Sequence, residues 1–262
     1  MVVSLTRHER KRQENIEFSA LPTLTLLTDY QIYLINHTTS TMLVQNLIQL
    51  ARETTQFTID TERDYATKAP ALIQIEFIHR HSVVLLIETW HLPHSSSVLF
   101  WLLRSLLKII FRPTNVLFSW GDSVFELSDF VNFGLFSLET IHELTTIDVQ
   151  HEFKQWYNHR FPHTCGLPSF CGDTPHCTCQ HRPVKNRNDP WSLQRAIAYT
   201  FQEFLDKSRT KSNWGRPMSR INIHQYSTVA KKEIKRIDEH LILYAVNDCL
   251  AVTKLMMLLD LN

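Results

Sequence analysis

The chain has 262 residues, of which 44% are hydrophobic and 20% are charged, and its formal net charge is +1. This composition supports a sizeable buried core and excludes an intrinsically disordered protein. The length suits one large domain with additions. Because the net charge is close to zero, it carries no information about partners, and the function has to be sought in particular residues.

Neither a membrane span nor a secretory signal is expected. The most apolar run, residues 98–111, is short and is interrupted by Arg104 and Lys108, so it predicts an amphipathic helix packed on a sheet. The first residues, MVVSLTRHERKRQ, are charged and contain no long apolar stretch. We predict a flexible tail over residues 1–25 and an intracellular protein, in the nucleus, cytoplasm or mitochondrion. The five cysteines are then reduced thiols or metal ligands rather than disulfides.

Hydrophobic periodicity predicts alternating strands and helices. The predicted elements, in order, are a strand at 31–36, a helix at 42–53, a strand at 57–62, a hairpin at 71–78 and 82–88, a helix at 98–110, a strand at 115–120 and a helix from about Asp122. This order is typical of an α/β fold, a mixed sheet covered by helices.

The pattern breaks over residues 150–190, which are rich in His, Cys, Pro and Gly. We predict an inserted loop or small subdomain at about 158–190 within a single domain that spans 26–260. Helical character returns at 191–207, and a last helix is predicted from about Asp238 to Leu259.

Acidic residues at three places in the chain are candidates for a functional site. Asp60 and Glu62 are two apart on a predicted strand, so both carboxylates point to the same side and repel each other unless a cation lies between them. Tyr244 and Asp248 share one face of the last helix. Asp122 follows a strand at a glycine turn, where it either projects from the sheet edge or caps the next helix.

Four carboxylates that converge without matching cations require divalent metal, and oxygen ligands favour Mg²⁺ or Mn²⁺. Two such ions roughly 4 Å apart can clamp the attacking and leaving oxygens of a phosphodiester. Tyr244 would then orient the attacking water. The alternative for each acid is an ordinary role on an exposed strand edge, at a helix cap or on a helix face.

In this ordered set the chain resembles the RNase D-like proteins, the DEDDy branch of the 3′–5′ exonucleases. Asp60 and Glu62 match the first motif, Asp122 in GDSVFEL the second, and Tyr244 with Asp248 the third. The stretch FLDKSRTKSNWGRP (204–217) is similar to the segment that precedes the third motif. The chain departs from the family in its Cys/His-rich stretch, in a longer basic segment at about 218–236, and in the bulky Trp120 before the second motif.

The resemblance implies an RNase H-like fold with a central mixed sheet flanked by helices. It also implies a two-metal 3′–5′ exonuclease that releases nucleoside monophosphates from single-stranded nucleic acid, with RNA slightly favoured over DNA. Asp60, Glu62, Asp122 and Asp248 would hold the ions. Two alternatives stay open, a catalytically inactive module that binds RNA or a protein partner, and a zinc-centred nucleic-acid-binding protein.

The segment from Lys207 to Arg236 contains nine Lys or Arg residues and one acid. It is either a solvated basic face or a track for the phosphate backbone. For the second interpretation we predict phosphate contacts from Lys207, Lys211 and Arg216, with Trp214 stacking on a base.

Cysteines and histidines are dense between residues 163 and 181. Cys165, Cys171, Cys177 and Cys179 are candidate ligands of a structural zinc, because thiolates suit this metal. Their spacing lacks the usual C-x₂-C pair, so reactive or paired cysteines remain an alternative.

Overall fold

The computed structural model describes residues 6–168, 173–186, 189–218 and 228–261. Its centre is a six-stranded mixed sheet with the order β1-β4-β3-β2-β5-β6. The strands are β1 (Asp29–Ile35), β2 (Gln56–Arg63), β3 (Pro70–Phe77), β4 (His81–Glu88), β5 (Val116–Ser119) and β6 (Thr145–Asp148). β3 pairs antiparallel with both β2 and β4, and the other neighbours are parallel. The predicted α/β class and the predicted hairpin are confirmed.

Eight α-helices surround the sheet in the described residues. They are α1 (Arg7–Phe18), α2 (Thr41–Glu53), α3 (Val98–Ile110), α4 (Ser123–Ser128), α5 (Leu138–His142), α6 (Val149–Arg160), α7 (Leu193–Phe201) and α8 (Thr228–Leu258). Serine side chains cap several of these helices, as Ser40 does for α2 and Ser97 for α3.

The two faces of the sheet are covered by different helices. Phe57 and Ile59 of β2 point into one apolar core together with buried residues of α2 and α3, so the prediction of an amphipathic helix at 98–110 is confirmed. Because side chains alternate along a strand, Thr58, Asp60 and Glu62 point to the other face. There Thr58 meets Thr253 of α8, with 2.7 Å between the two hydroxyl oxygens.

The N-terminal region differs from the predicted flexible tail. Residues 7–18 form α1, which begins with a capping box between Thr6 and Glu9. Glu14 forms an ion pair with Arg195 of α7, which ties α1 to the body of the protein. Composition alone missed this helix because its contacts, such as Glu14 with Arg195 and Phe18 with Tyr199, come from residues far along the chain. Residues 1–5 of the predicted tail lie outside the described residues.

The region of the predicted insertion begins with regular structure. α6 continues through Arg160, and the described part of residues 161–192 then contains neither helix nor strand. α7 is shorter than the helix predicted over 191–207. The four residues of β6 were not predicted as a strand, because so short a segment is defined by its pairing with β5 rather than by its own pattern.

The last helix is longer than predicted and starts at Thr228, so the final part of the predicted basic insertion belongs to α8. Residues 219–227 of that insertion lie outside the described residues. By length and composition, Lys235–Leu258 could cross a membrane, contrary to the expectation that no segment would. Within the fold, 72% of its most apolar window is buried, as in the core helix of a soluble protein.

Candidate active site

Asp60 and Glu62 lie where β2 runs past the end of its neighbour. β2 pairs with β5 only from Gln56 to Thr58, so the acidic end of β2 has no strand partner on that side. On the other side, Asp60 is opposite Gln74 of β3. The sheet therefore holds both carboxylates rigidly while one edge of β2 stays open to α4.

The third acid comes from α8, which crosses the same face of the sheet. Carboxylate oxygens of Asp60, Glu62 and Asp248 all lie within 4.8 Å of one another. Asp248 is 2% exposed, and its Oδ2 accepts a hydrogen bond of 2.6 Å from Lys207 Nζ. Its buried Oδ1 has no hydrogen-bond partner in the part of the chain that the structure describes. A buried carboxylate oxygen without a partner is costly, which suggests that something else binds there.

Tyr244 lies one helical turn before Asp248, as the sequence predicts. Its hydroxyl is 3.2 Å from the hydroxyl of Thr210, and its ring packs against Trp214 with the ring centres 5.8 Å apart. Burial, together with the charges of Asp248 and Glu62, raises the pKa of Tyr244 well above its ordinary value. The hydroxyl therefore stays protonated and can donate a hydrogen bond.

The positive charge near the three carboxylates is too small to balance their negative charge. Burial and the nearby Asp248 raise the pKa of Asp60 to about 8. Burial, followed by Asp60 and Asp248, raises the pKa of Glu62 well above its usual range. Burial alone would lower the pKa of Lys207, but Asp248 and Asp60 outweigh it and raise that pKa. Among the described residues one ammonium therefore faces the three acids, whereas the sequence predicted no matching cation.

This arrangement fits a divalent cation. Three carboxyl groups faced by one ammonium retain protons that a bound cation would replace, and all the available donor atoms are oxygens, which Mg²⁺ and Mn²⁺ prefer. The buried, unpartnered Oδ1 of Asp248 supplies a donor that no described group uses.

The structure places Asp122 differently from the other predicted ligands. Its side chain is exposed, and its Oδ1 accepts a hydrogen bond of 3.0 Å from Phe125 N as the N-cap of α4. It does not belong to the group of three acids within 4.8 Å, which was drawn from the described residues. One turn further along α4, Glu126 Oε2 accepts a hydrogen bond of 3.1 Å from the Thr61 hydroxyl. Glu126 also contributes to the raised pKa of both Asp60 and Glu62.

Of the four predicted nucleic-acid contacts, one is buried, one is ion-paired and one lies inside the acidic pocket. Trp214 is 2% exposed and leaves no face for a base, so the structure does not support the predicted stacking. Arg216 forms an ion pair with Asp238 of α8. Lys207 lies inside the acidic pocket. Lys211 is exposed, as a phosphate contact requires.

Tyr65, which follows the acidic end of β2, was not among the site residues predicted from the sequence. This side chain is 44% exposed. Two ammonium groups lie over its ring, Lys68 Nζ at 3.9 Å and Lys211 Nζ at 5.4 Å from the ring centre. The backbone N–H of Tyr65 donates to Ser212 O at 3.0 Å, which joins this turn to the segment that contains Lys211. The available sequence signal was an aromatic residue three positions after Glu62, followed by Lys68.

Of the four predicted zinc ligands, three come together. Cys165, Cys177 and Cys179 form a group with His163, with all four ligand atoms within 4.8 Å of one another. Cys171 lies outside the described residues. Cys249 is buried in α8.

Comparison with solved structures identifies the fold. RNase D from Trypanosoma brucei superposes with a TM-score of 0.50 at 11% identity, over 88% of this chain and 64% of that one. RNase D from Escherichia coli is 19% identical with a TM-score of 0.46, over 89% of this chain and 45% of that one. The exonuclease domain of Aedes aegypti Nibbler is 14% identical with a TM-score of 0.47, over 90% of this chain and 93% of that one.

The chain therefore shares the fold of T. brucei RNase D, and the RNase H-like α/β fold predicted from the sequence is confirmed. It spans less than half the length of the E. coli enzyme. No protein-family model and no curated protein sequence matches the chain.

Proposed function

We propose that this protein is a metal-dependent 3′–5′ exonuclease that acts on single-stranded nucleic acid. The observation that carries the proposal is the meeting of Asp60, Glu62 and Asp248 at the open end of β2, where the buried Asp248 Oδ1 has no hydrogen-bond partner among the described residues. Three carboxylates that meet in this way contribute little to the stability of the folded protein. They suit cations that can bind a phosphate of the substrate at the same time.

Each residue of the pocket has a distinct proposed part. Asp60, Glu62 and Asp248 hold two Mg²⁺ or Mn²⁺ ions, which when bound would activate water and stabilise the leaving oxygen. Lys207 fixes one oxygen of Asp248 and leaves the other for metal. The protonated hydroxyl of Tyr244 orients the attacking water.

We further propose that the substrate is the 3′ end of single-stranded RNA. One solved structure of T. brucei RNase D contains the RNA U12, and the likeness of the folds makes RNA the first substrate to test. Tyr65 and its two lysines offer a stacking face and positive charge close to the acidic end of β2. The compartment proposed for this activity is the nucleus, the cytoplasm or the mitochondrion.

Replacing Tyr65 by Ala should weaken strand binding by about 1–3 kcal/mol, because one base loses its stacking partner. Fluorescence anisotropy of a labelled RNA strand, in Ca²⁺ to slow cleavage, would measure the change. Trp101→Ala is the matched control, since Trp101 is also exposed with a cation, Arg104, over its ring, but lies on α3 across the sheet. Equal affinities for the Tyr65→Ala and wild-type proteins would remove Tyr65 from the binding surface.

The activity is tested with single strands labelled at the 3′ or the 5′ end, as RNA and as DNA, in Mg²⁺ or Mn²⁺. The wild type should release labelled mononucleotide at once from 3′-labelled strands and shorten 5′-labelled strands step by step. Asp60→Asn should abolish both, whereas Asp29→Asn, an exposed acid at the start of β1, should keep them. Binding without cleavage by the wild type would instead indicate an inactive RNase D-like module.

A further inference from the structure

A second group of possible metal ligands lies in the irregular segment after α6. His163 and Cys165 come from its beginning, and Cys177 and Cys179 come from a turn farther along the chain. The two pairs have the same spacing, H-x-C and C-x-C, so two short stretches of irregular backbone each provide two metal-ligand atoms. None of these residues belongs to the acidic pocket.

The distances are close to those of a tetrahedral site. Sulfur atoms bound to one tetrahedral zinc are about 3.8 Å apart, because each Zn–S bond is about 2.3 Å long. All four donor atoms already lie within 4.8 Å of one another. His163 Nδ1 and Cys165 Sγ are 3.9 Å apart. Small side-chain movements would therefore complete the site.

The surroundings suit thiolates. Cys177 and Cys179 are each 5% exposed. The backbone N–H of Thr164 donates to Cys179 Sγ at 3.2 Å, and Lys185 Nζ is 3.6 Å from Cys177 Sγ. Hydrogen bonds to the sulfur atoms are the usual outer shell of a zinc–thiolate centre.

The segment also needs a cross-link. In its described parts, residues 161–192 have no helix or strand, yet they bury the charged pair Asp173 and Arg182. A segment of this length cannot be fixed by an apolar core of its own, and natural proteins stabilise such pieces with a metal or with disulfides. Cys165, Cys177 and Cys179 are free thiols here.

We propose that His163, Cys165, Cys177 and Cys179 bind one structural Zn²⁺. All four positions are filled by protein donors, which is the mark of a structural rather than a catalytic zinc. His163 replaces Cys171, the fourth ligand predicted from the sequence. The site pins the segment between α6 and α7 and is independent of the proposed nuclease chemistry.

The test is the zinc content of the full chain, purified under reducing conditions and measured by elemental mass spectrometry. The wild type should carry one zinc per chain. Cys177→Ser and His163→Asn should reduce it to trace levels. Cys171→Ser and His181→Asn are the matched controls and should keep it. Loss of zinc in Cys171→Ser but not in His163→Asn would overturn the proposed ligand set.

A cobalt titration of the metal-free wild type keeps the test independent of whether the variants fold. Tetrahedral Co²⁺ with three sulfur ligands should give strong visible absorption and a thiolate charge-transfer band, both lost when one equivalent of Zn²⁺ is added. Absence of zinc from the purified wild type, together with weak octahedral cobalt bands, would refute the site.

Discussion

At the scale of single residues, the main question is which acid completes the pocket. Asp122 occupies the sequence position expected of the second motif, but its carboxylate caps α4 and faces solvent. Glu126 is partly buried and reaches β2 through Thr61. Asp122 is the N-cap of α4 and Glu126 lies four residues later, so a small shift of this helix would decide which of them approaches the proposed metal site.

We predict that Glu126→Gln lowers the cleavage rate by about 100-fold, the usual effect of removing one group that stabilises charge at an active site. Asp122→Asn should have the smaller effect, because an amide oxygen still caps the helix. Single-turnover cleavage of a labelled RNA would measure both. The opposite ranking would return the fourth carboxylate to Asp122.

Glu76 is a buried acid outside the pocket, and it should make stability depend on pH. Its carboxylate accepts hydrogen bonds from Ser82 and Thr253, and burial raises its pKa to about 7 from 4.5. The folded protein therefore keeps a proton that the unfolded chain loses, so stability falls as the pH rises from 4.5 to about 7.

Glu76→Gln should abolish this pH-dependent loss of stability, which amounts to up to about 3 kcal/mol. Urea unfolding at several pH values would compare the variant with the wild type, and Glu53→Gln, an exposed acid at the end of α2, is the control. The free energies of unfolding of wild type and Glu76→Gln should converge at low pH and separate above pH 5. A constant difference across the range would contradict the prediction.

At the scale of elements, α1 supports the segment that carries Lys207. Asn15 Oδ1 accepts hydrogen bonds from Lys207 N at 2.8 Å and from Gln194 Nε2 at 2.7 Å. Asn15 Nδ2 donates to Asp206 Oδ1 at 3.2 Å. The side-chain amide of Asn15 therefore links α1 to α7 and to the backbone of Lys207. In this way α1 contributes to the site without contacting its acids.

Asn15→Ala should cost about 1–3 kcal/mol of stability, since it leaves buried donors without an acceptor. It should also lower the cleavage rate at saturating RNA, because Lys207 loses its anchor. Gln13→Ala is the control, an exposed amide on the same helix whose side chain donates a hydrogen bond to Glu17 within α1. If both variants behave alike in thermal unfolding and cleavage, α1 has no part in positioning Lys207.

At the scale of the whole molecule, the site forms where the sheet, α8 and α4 meet at one edge of β2. The sheet supplies Asp60 and Glu62, α8 supplies Asp248 across one face, and α4 closes the edge where β5 ends. The irregular segment after α6 is joined to the same edge, because Trp120 Nε1 donates to Trp191 O at 3.1 Å. Divalent cations that bind this pocket should therefore stabilise the whole fold.

Mn²⁺ at 100 times its dissociation constant should add about 2.7 kcal/mol to the free energy of unfolding, if it binds only the folded protein. Differential scanning fluorimetry would show a rising Tm for the wild type and almost none for Asp60→Asn. The proposed zinc site does not confound this comparison, because it is intact in both proteins. Equal Tm increases in both would place the bound Mn²⁺ elsewhere.

The sequence by itself determined the α/β class, the hairpin, and the positions of Asp60, Glu62, Tyr244 and Asp248 on their elements. Strand alternation and helical spacing are local properties, so they can be read from neighbouring residues. Only the tertiary structure decided the rest. It paired Lys207 with Asp248, buried Trp214 and exposed Tyr65. It also packed α1 against the body of the protein, and it placed Glu126 rather than Asp122 against β2. Each of these depends on contacts between segments far apart in the chain, and such contacts leave no periodic trace in the sequence.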